Sequence, residues 1–291
     1  MTYEIFATRE DPTWSSFVVK PFTGTIGAFI EGLDLSKPLD DKTVKDLNQA
    51  WVHYQVLFFR DQDITPAQHV AFATHFGDVQ MGGSIPRLEE QPEIKKQEYT
   101  MESQRSGDVT MHADDTFVEI PSKGSFLYGV KMPATGGDTI WINCEAAYAA
   151  LSDPWKEMLD GLTATHDLSA NFGFSMPGVD DLDMKKRIRE HYPAVSHPVI
   201  RTHPETGRKC LFVNEMVTTK INEMEPEESQ LILHYLFNHL KKPLFQCRLH
   251  WTDGTMVMWD NRSVQHVVVA DFQPCYRLNH RIAIKDTERP V

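Results

Sequence analysis

Apolar positions change their period along the chain, and the change divides it into a helix-containing first third and a strand-rich remainder. Residues 17–22 alternate apolar and polar and predict a strand, which Thr23-Gly24 breaks. Val44, Leu47, Ala50 and Trp51 recur at helical spacing, after a Pro38-Leu39-Asp40-Asp41 entry in which either aspartate can cap the helix. Gln55-Val56-Leu57-Phe58-Phe59 reads as a buried strand, and Thr65-Pro66 opens a second helix with proline in its first turn. Residues 80–110 show no period. Gly82-Gly83 and Pro86 interrupt them, residues 89–98 are charged, and the expectation is a solvated loop or a lid. From residue 110 strand patterns dominate: 110–117, 125–130, 139–142, 195–202, 209–214, 245–251, 255–259 and 276–284. Asp253-Gly254 reads as a hairpin turn, and Pro204-Glu205-Thr206-Gly207 as another tight turn. Short helices are expected at 145–150 and 154–162. A longer one at 225–240 carries Leu231, Leu233, Leu236 and Leu240 on or near one face, and residues 173–187 look irregular. The pattern predicts one domain over residues 1–291. It is α+β but mainly β, with the early helices covering one sheet.

Composition narrows the function more than the fold. With 41% hydrophobic and 24% charged residues, the 291-residue chain has ordinary material for a packed core. Its net charge of -12 argues against nucleic acid or an anionic membrane surface as partner. A small anion stays open, because local arginines decide that. The four cysteines are scattered without a C-x-x-C pair, so a structural zinc site is not expected. Free thiols and twelve methionines suit a reducing compartment. The first fourteen residues lack an apolar core of the signal-peptide kind, and no run is long enough to span a membrane, so the cytoplasm is expected.

The candidate chemistry centres on Thr110-Met111-His112-Ala113-Asp114-Asp115-Thr116-Phe117. If this run is a strand, His112 and Asp114 share a face and could hold one divalent metal together. An exposed strand end would look the same. The balance shifts downstream, where His266 closes Trp259-Asp260-Asn261-Arg262-Ser263-Val264-Gln265-His266 and Arg277 follows. Two histidines and one carboxylate form the facial triad of a non-haem Fe(II) site, with positions left open for a co-substrate and O2. An arginine beside it offers a two-pronged contact to the carboxylate of a 2-oxo acid. Ligands so far apart in sequence need a scaffold that brings distant strands together, and a double sheet of the jelly-roll type does so.

Several segments together resemble the taurine dioxygenase family of Fe(II)/2-oxoglutarate-dependent dioxygenases, which includes 2,4-dichlorophenoxyacetate and alkylsulfate dioxygenases. They are Ile26-Gly27-Ala28, Gln55-Val56-Leu57-Phe58, Asp63-Ile64-Thr65-Pro66, Phe76-Gly77, His112-Ala113-Asp114, Gly136-Gly137-Asp138-Thr139 and Trp259-Asp260-Asn261-Arg262 through Arg281. The resemblance implies a double-stranded β-helix with flanking helices that uses Fe(II), 2-oxoglutarate and O2. It implies His112, Asp114 and His266 as metal ligands, and Thr139 and Arg277 as contacts of the 2-oxoglutarate C5 carboxylate. Arg281 matches the arginine that binds a substrate's sulfonate or carboxylate, and Asn171 and Phe172 match the stretch lining the substrate cavity. Because Asp114 supplies a third ligand, no position is vacated for chloride, and hydroxylation is favoured over halogenation.

The departures bear on the substrate. The histidine and tyrosine that contact taurine in the family are replaced by Gly82 and Ile85. Val217 stands for a phenylalanine in the Asn-Glu-x-Phe-Thr-Thr stretch, and Asp108 for an asparagine. These changes remove partners for an amine and add room. The expectation is a small anionic substrate other than taurine: a sulfonate, a sulfate ester, or an aryloxy or alkyl carboxylate. Two alternatives remain: hydroxylation, desaturation or cyclisation of a natural-product acid, and a metal-binding jelly-roll sensor without catalysis. Relatives are often dimers or tetramers, which makes a homodimer or homotetramer the expectation for assembly.

Overall fold

The computed structural model describes residues 12–82, 85–100, 110–170 and 181–291. The first described elements are β1 (Val18–Pro21), β2 (Ala28–Glu31), α1 (Asp41–Tyr54), β3 (Val56–Phe59), α2 (Pro66–Thr74) and β4 (Lys95–Tyr99). Next come β5 (Gly124–Lys131), β6 (Thr139–Asn143), α3 (Cys144–Ala149), α4 (Asp153–Leu159), β7 (Thr163–His166) and α5 (Asp181–His191). The order then runs β8 (Val195–Pro198), β9 (Ile200–Thr202), β10 (Lys209–Leu211), β11 (Thr218–Ile221), α6 (Pro226–Leu240) and β12 (Gln246–Leu249). The last three are β13 (Met256–Asp260), β14 (Val264–Val268) and β15 (Arg277–Ile284).

Helices α1 and α2 begin where the sequence places them. Asp40 accepts a hydrogen bond from the Thr43 amide at 2.7 Å and caps α1. Thr65 and Gln68 form a reciprocal capping box at the start of α2. The largest sheet runs β1-β2-β3-β13-β5-β15-β4, and a smaller one runs β12-β6-β14. Burial on both faces of the large sheet explains the unbroken apolar run of β3. Leu57 and Phe59, with Met256, Met258 and Phe126, face the cluster that contains Trp51 and Phe72 of α1 and α2. Val56 and Phe58, with Val257, Trp259 and Leu127, face Trp141, Cys247 and Leu249 of the small sheet. The two sheets thus close on each other as a jelly roll, and the N-terminal helices cover the outer face of one. On the far side of the small sheet, α3 and α6 bury Ala147, Leu233, Leu236 and Leu240.

Five local expectations are corrected. The run around His112 is no strand: His112 makes one isolated bridge to His266, and the chain turns at Asp114, with Asp115 in the left-handed region at φ 59°. Within the expected loop at 80–110, β4 pairs with β15 as an edge strand of the large sheet. Residues 181–187 are helical, as the first turns of α5. Asp253-Gly254 joins no hairpin, since β12 pairs with β6 whereas β13 pairs with β3 and β5, so the turn carries the chain from one sheet to the other. Leu231 is 74% exposed and belongs to the outer face of α6. Three of the cysteines, Cys144, Cys210 and Cys247, are buried as small apolar residues.

Candidate active site

The turn at Asp114 brings together what a strand would have kept in line. His112 and His266 exchange backbone hydrogen bonds, N to O, of 3.1 and 2.7 Å, which sets their rings side by side with centroids 4.5 Å apart. Asp114 folds back beneath them, and its Oδ1 lies 3.8 Å from Nε2 of each histidine. Atoms bound to one ion at about 2.1 Å lie at most about 4.2 Å apart, so these separations suit a shared metal. Among the described residues, this trio forms the cluster whose ligand atoms all lie within 4.8 Å of one another.

The surroundings reserve particular atoms for the metal. The Nδ1–H of His112 donates to the Thr110 carbonyl at 2.8 Å, which leaves Nε2 with its lone pair. Oδ2 of Asp114 accepts from Ser125 Oγ at 2.9 Å and pairs with an Arg281 terminal nitrogen at 2.5 Å, so Oδ1 remains for a cation. Burial opposes the Asp114 charge, but Arg281, helped by the Ser125 hydrogen bond, outweighs it and holds the carboxyl far below its usual range. Burial also pushes His266 down to about 3 and keeps its imidazole neutral.

Behind the trio, the Trp259-Asp260-Asn261-Arg262 turn is a fully buried polar block. Asp260 takes the Arg262 side chain at 2.8 and 2.7 Å and lies 3.0 Å from His203. Asn261 accepts from the Trp259 indole at 2.8 Å and donates to Ser122 at 3.0 Å. This block fixes the link between β13 and β14 and thereby the position of His266.

A cavity of about 370 Å³ opens beside the trio. Thr139, Arg277, Arg281, Ile85 and Val217 all line it. Asn171 and Phe172, and also Asp108, lie outside the described residues. Arg277 is 3% exposed, and its Nε has no partner. Its one hydrogen bond among the described residues is long, 3.4 Å to the Gly137 carbonyl, and its other neighbours are the faces of Phe272, Tyr99 and Trp251. Burial lowers its pKa to about 10, which still leaves it charged at neutral pH. Among the described residues no carboxylate pairs with this cation, and the far carboxylate of 2-oxoglutarate fits that need. Thr139 Oγ1 accepts from the Trp251 indole at 2.9 Å, so its own O–H is left to donate into the cavity. Gly137 must be glycine here: φ is 70°, and a Cβ would stand 3.3 Å from Arg277 Nε.

Arg281 sits differently from the expectation of an arginine reserved for substrate. One terminal nitrogen serves Asp114 and also donates to Ser125 at 3.0 Å. Sequence reasoning missed Lys95, Gln97 and Tyr99 of β4, which line the cavity opposite β15, and the apolar wall of Phe117, Leu168, Tyr192 and Met216. A period-two signal was present, since Lys96 and Glu98 between them turn outward and pair at 2.6 Å. Every one of these strand positions except Tyr99 is polar, so a hydrophobic pattern does not reveal them.

Comparison with known proteins fits this geometry. Residues 19–283 match the family described as "Taurine catabolism dioxygenase TauD, TfdA family". An alkylsulfatase of Acinetobacter baylyi is 32% identical over 281 residues, covering 94% of this chain and 86% of that protein. An alpha-ketoglutarate-dependent sulfate ester dioxygenase of Pseudomonas putida is 32% identical over 270 residues, covering 91% and 88%. Among solved structures, a taurine dioxygenase from Burkholderia xenovorans superposes with a TM-score of 0.80 at 32% identity, covering 95% of this chain and 91% of that one.

Proposed function

The chain belongs to the TauD/TfdA family of Fe(II)- and 2-oxoglutarate-dependent dioxygenases, and from that premise we propose that it hydroxylates a small organic monoanion with an apolar body. Sulfate esters, sulfonates and aryloxy or alkyl carboxylates are the substrate classes. The observation that carries the reading is a single cavity that joins the His112, Asp114 and His266 trio, Arg277, which pairs with no carboxylate among the described residues, and an apolar wall. When bound, Fe(II) supplies the oxidative chemistry: 2-oxoglutarate and O2 give succinate and CO2, and the second oxygen atom enters a substrate C–H bond.

The protein's own residues do the rest. His112, Asp114 and His266 hold the metal. Arg277 and Thr139 anchor the C5 carboxylate of the co-substrate and orient its 2-oxo acid end toward the trio. Arg281 holds Asp114 in place with one nitrogen, and its Nε, buried without a partner, is left for an anion. Phe117, Leu168, Tyr192, Met216 and Val217 exclude water from the apolar body. Those five side chains offer an ammonium no counter-charge, and Asp115 is the one carboxylate of the described lining besides the metal-ligating Asp114, so taurine is expected to be a poor substrate. A screen of 2-oxoglutarate consumption and succinate release over sulfate esters, sulfonates, aryloxy acids and taurine tests the reading. Coupled turnover with at least one amine-free monoanion supports it, and efficient turnover of taurine alone contradicts it.

A further inference from the structure

The edge strand β4 lays a row of side chains along β15. Register sets Lys95 opposite Arg281, Gln97 opposite Asn279 and Tyr99 opposite Arg277. The Tyr99 end lies at the proposed co-substrate anchor, and the Lys95 end lies beside the arginine that holds the metal-ligating Asp114. Lys95 is 7% exposed and lines the same cavity as the trio. Among the described residues no carboxylate pairs with it at ion-pair distance. Asp115 and Asp114 act on it electrostatically without forming an ion pair. Nothing in the resemblance or in the pattern of the sequence assigns it a role.

We propose that Lys95 is the principal cationic contact for the acidic group of the substrate, with Arg281 beside it held mainly by Asp114. This rests on the reading of an anionic substrate given above. Three lines support it. First, an ammonium withdrawn from water without a partner costs stability, and the fold keeps this one facing a cavity where a ligand can compensate it. Burial and the neighbouring Arg281 both lower its pKa, as unmatched positive charge does. Second, the charges close. The described lining holds three cations, Lys95, Arg277 and Arg281, against two carboxylates, Asp114 and Asp115. Fe(II) and the 2-oxoglutarate dianion cancel, so one positive charge remains and one monoanion neutralises it. Third, the two arginines are less free: Arg277 lies at the co-substrate end, and Arg281 gives one terminal nitrogen to Asp114 at 2.5 Å, which leaves its Nε as a secondary contact. From Lys95 the apolar body would extend along Phe117 and Tyr192, whose rings pack edge to face with centroids 5.2 Å apart.

The test is direct binding without turnover. Wild type, Lys95→Met and Lys95→Arg are loaded with Mn(II) and the inert co-substrate analogue N-oxalylglycine. Each is then titrated calorimetrically with hexyl sulfate, hexane-1-sulfonate, phenoxyacetate and uncharged hexan-1-ol. The wild type should bind at least one of the anions. Lys95→Met should weaken that binding roughly 10- to 100-fold, the range for losing one hydrogen bond to a charged group. It should leave hexan-1-ol and N-oxalylglycine affinities unchanged, and Lys95→Arg should restore most of the anion binding. The melting temperature of Lys95→Met should equal or exceed that of wild type, because no internal ion pair is lost. Unchanged anion affinity in Lys95→Met overturns the proposal, as does a loss that falls on N-oxalylglycine instead. A melting temperature that drops in Lys95→Met and recovers in Lys95→Arg assigns the lysine to structure and likewise overturns it. If the wild type binds N-oxalylglycine but none of the anions, the anionic-substrate reading fails and this inference falls with it. Anion binding that survives Lys95→Met sinks the inference alone.

Discussion

Replacing Arg277 with methionine keeps most of its buried volume and removes its charge. In the free protein the guanidinium is 3% exposed, has an unpartnered Nε and makes a single 3.4 Å hydrogen bond among the described residues. Its removal therefore relieves a desolvated cation and should leave the melting temperature equal or higher. In the complex the cost reverses, because the co-substrate's far carboxylate would be buried opposite a thioether. Breaking such a buried pair costs about 3–5 kcal/mol. At about 1.4 kcal/mol per decade, 2-oxoglutarate affinity should fall by roughly two to three and a half decades. Arg277→Lys restores charge without the planar fork and should recover only part of the loss. The pH sign is also fixed. Burial lowers the pKa to about 10, so wild-type affinity should hold through neutral pH and decline only as pH rises through that value. Calorimetric titration of 2-oxoglutarate into the Mn(II)-loaded protein measures all of this. An unaltered titration in Arg277→Met would refute the assignment, and a large loss of melting temperature would show that the arginine serves the fold.

Three further outcomes follow from the same geometry. His112→Ala or Asp114→Ala should abolish Fe(II)-dependent 2-oxoglutarate decarboxylation and bound metal while circular dichroism stays native, and full activity with unchanged metal content would remove the trio from the site. Arg281→Ala should raise the KM for substrate more than that for 2-oxoglutarate, and because Asp114 loses its partner, metal affinity should fall about 10- to 100-fold; a variant with wild-type metal affinity and KM would place Arg281 outside both roles. Burial lowers His69 to about 3, so as pH falls below about 6.5 the unfolded chain takes up the proton first. Its share of stability is intact above pH 6.5 and is lost at roughly 1.4 kcal/mol per pH unit down to about 3. His69→Phe should flatten the urea-unfolding stability profile by one proton in that window, and an unchanged slope would count against a neutral buried imidazole.

What the sequence made legible follows physical locality. Helices α1 and α2 announce themselves through Asp40, Thr65 and Gln68, whose capping bonds lie within three residues of one another. Strand β3 is visible because burial on both faces leaves only apolar residues at Val56–Phe59. Arg277 and Thr139 both line the cavity, and the sequence offered them only through the family likeness, since neither carries a local signal of the role proposed for it. Illegible features depend on pairing across long separations. Asp253-Gly254 looks like a hairpin until the neighbours of β12 and β13 are known, and those neighbours come from residues 56–59, 124–128 and 139–142. The left-handed Asp115, which turns Asp114 toward the histidines, has no marker in its residue type beyond an aspartate's tolerance of that region. Strand β4 hides because its inward face meets a polar cavity, so Lys95 and Gln97 read as solvated charge and amide.

The central claim is that this cavity couples 2-oxoglutarate oxidation to hydroxylation of a monoanion that carries no amine. The most direct measurement is a product balance on the Fe(II)-loaded protein in air: succinate, CO2 and hydroxylated product per 2-oxoglutarate consumed, for the best anion of the screen and for its neutral alcohol counterpart. Near-equal amounts of succinate and hydroxylated product with the anion, and little of either with the alcohol, are predicted. Equal coupling with both compounds would contradict the claim, and so would succinate formed without any hydroxylated anion.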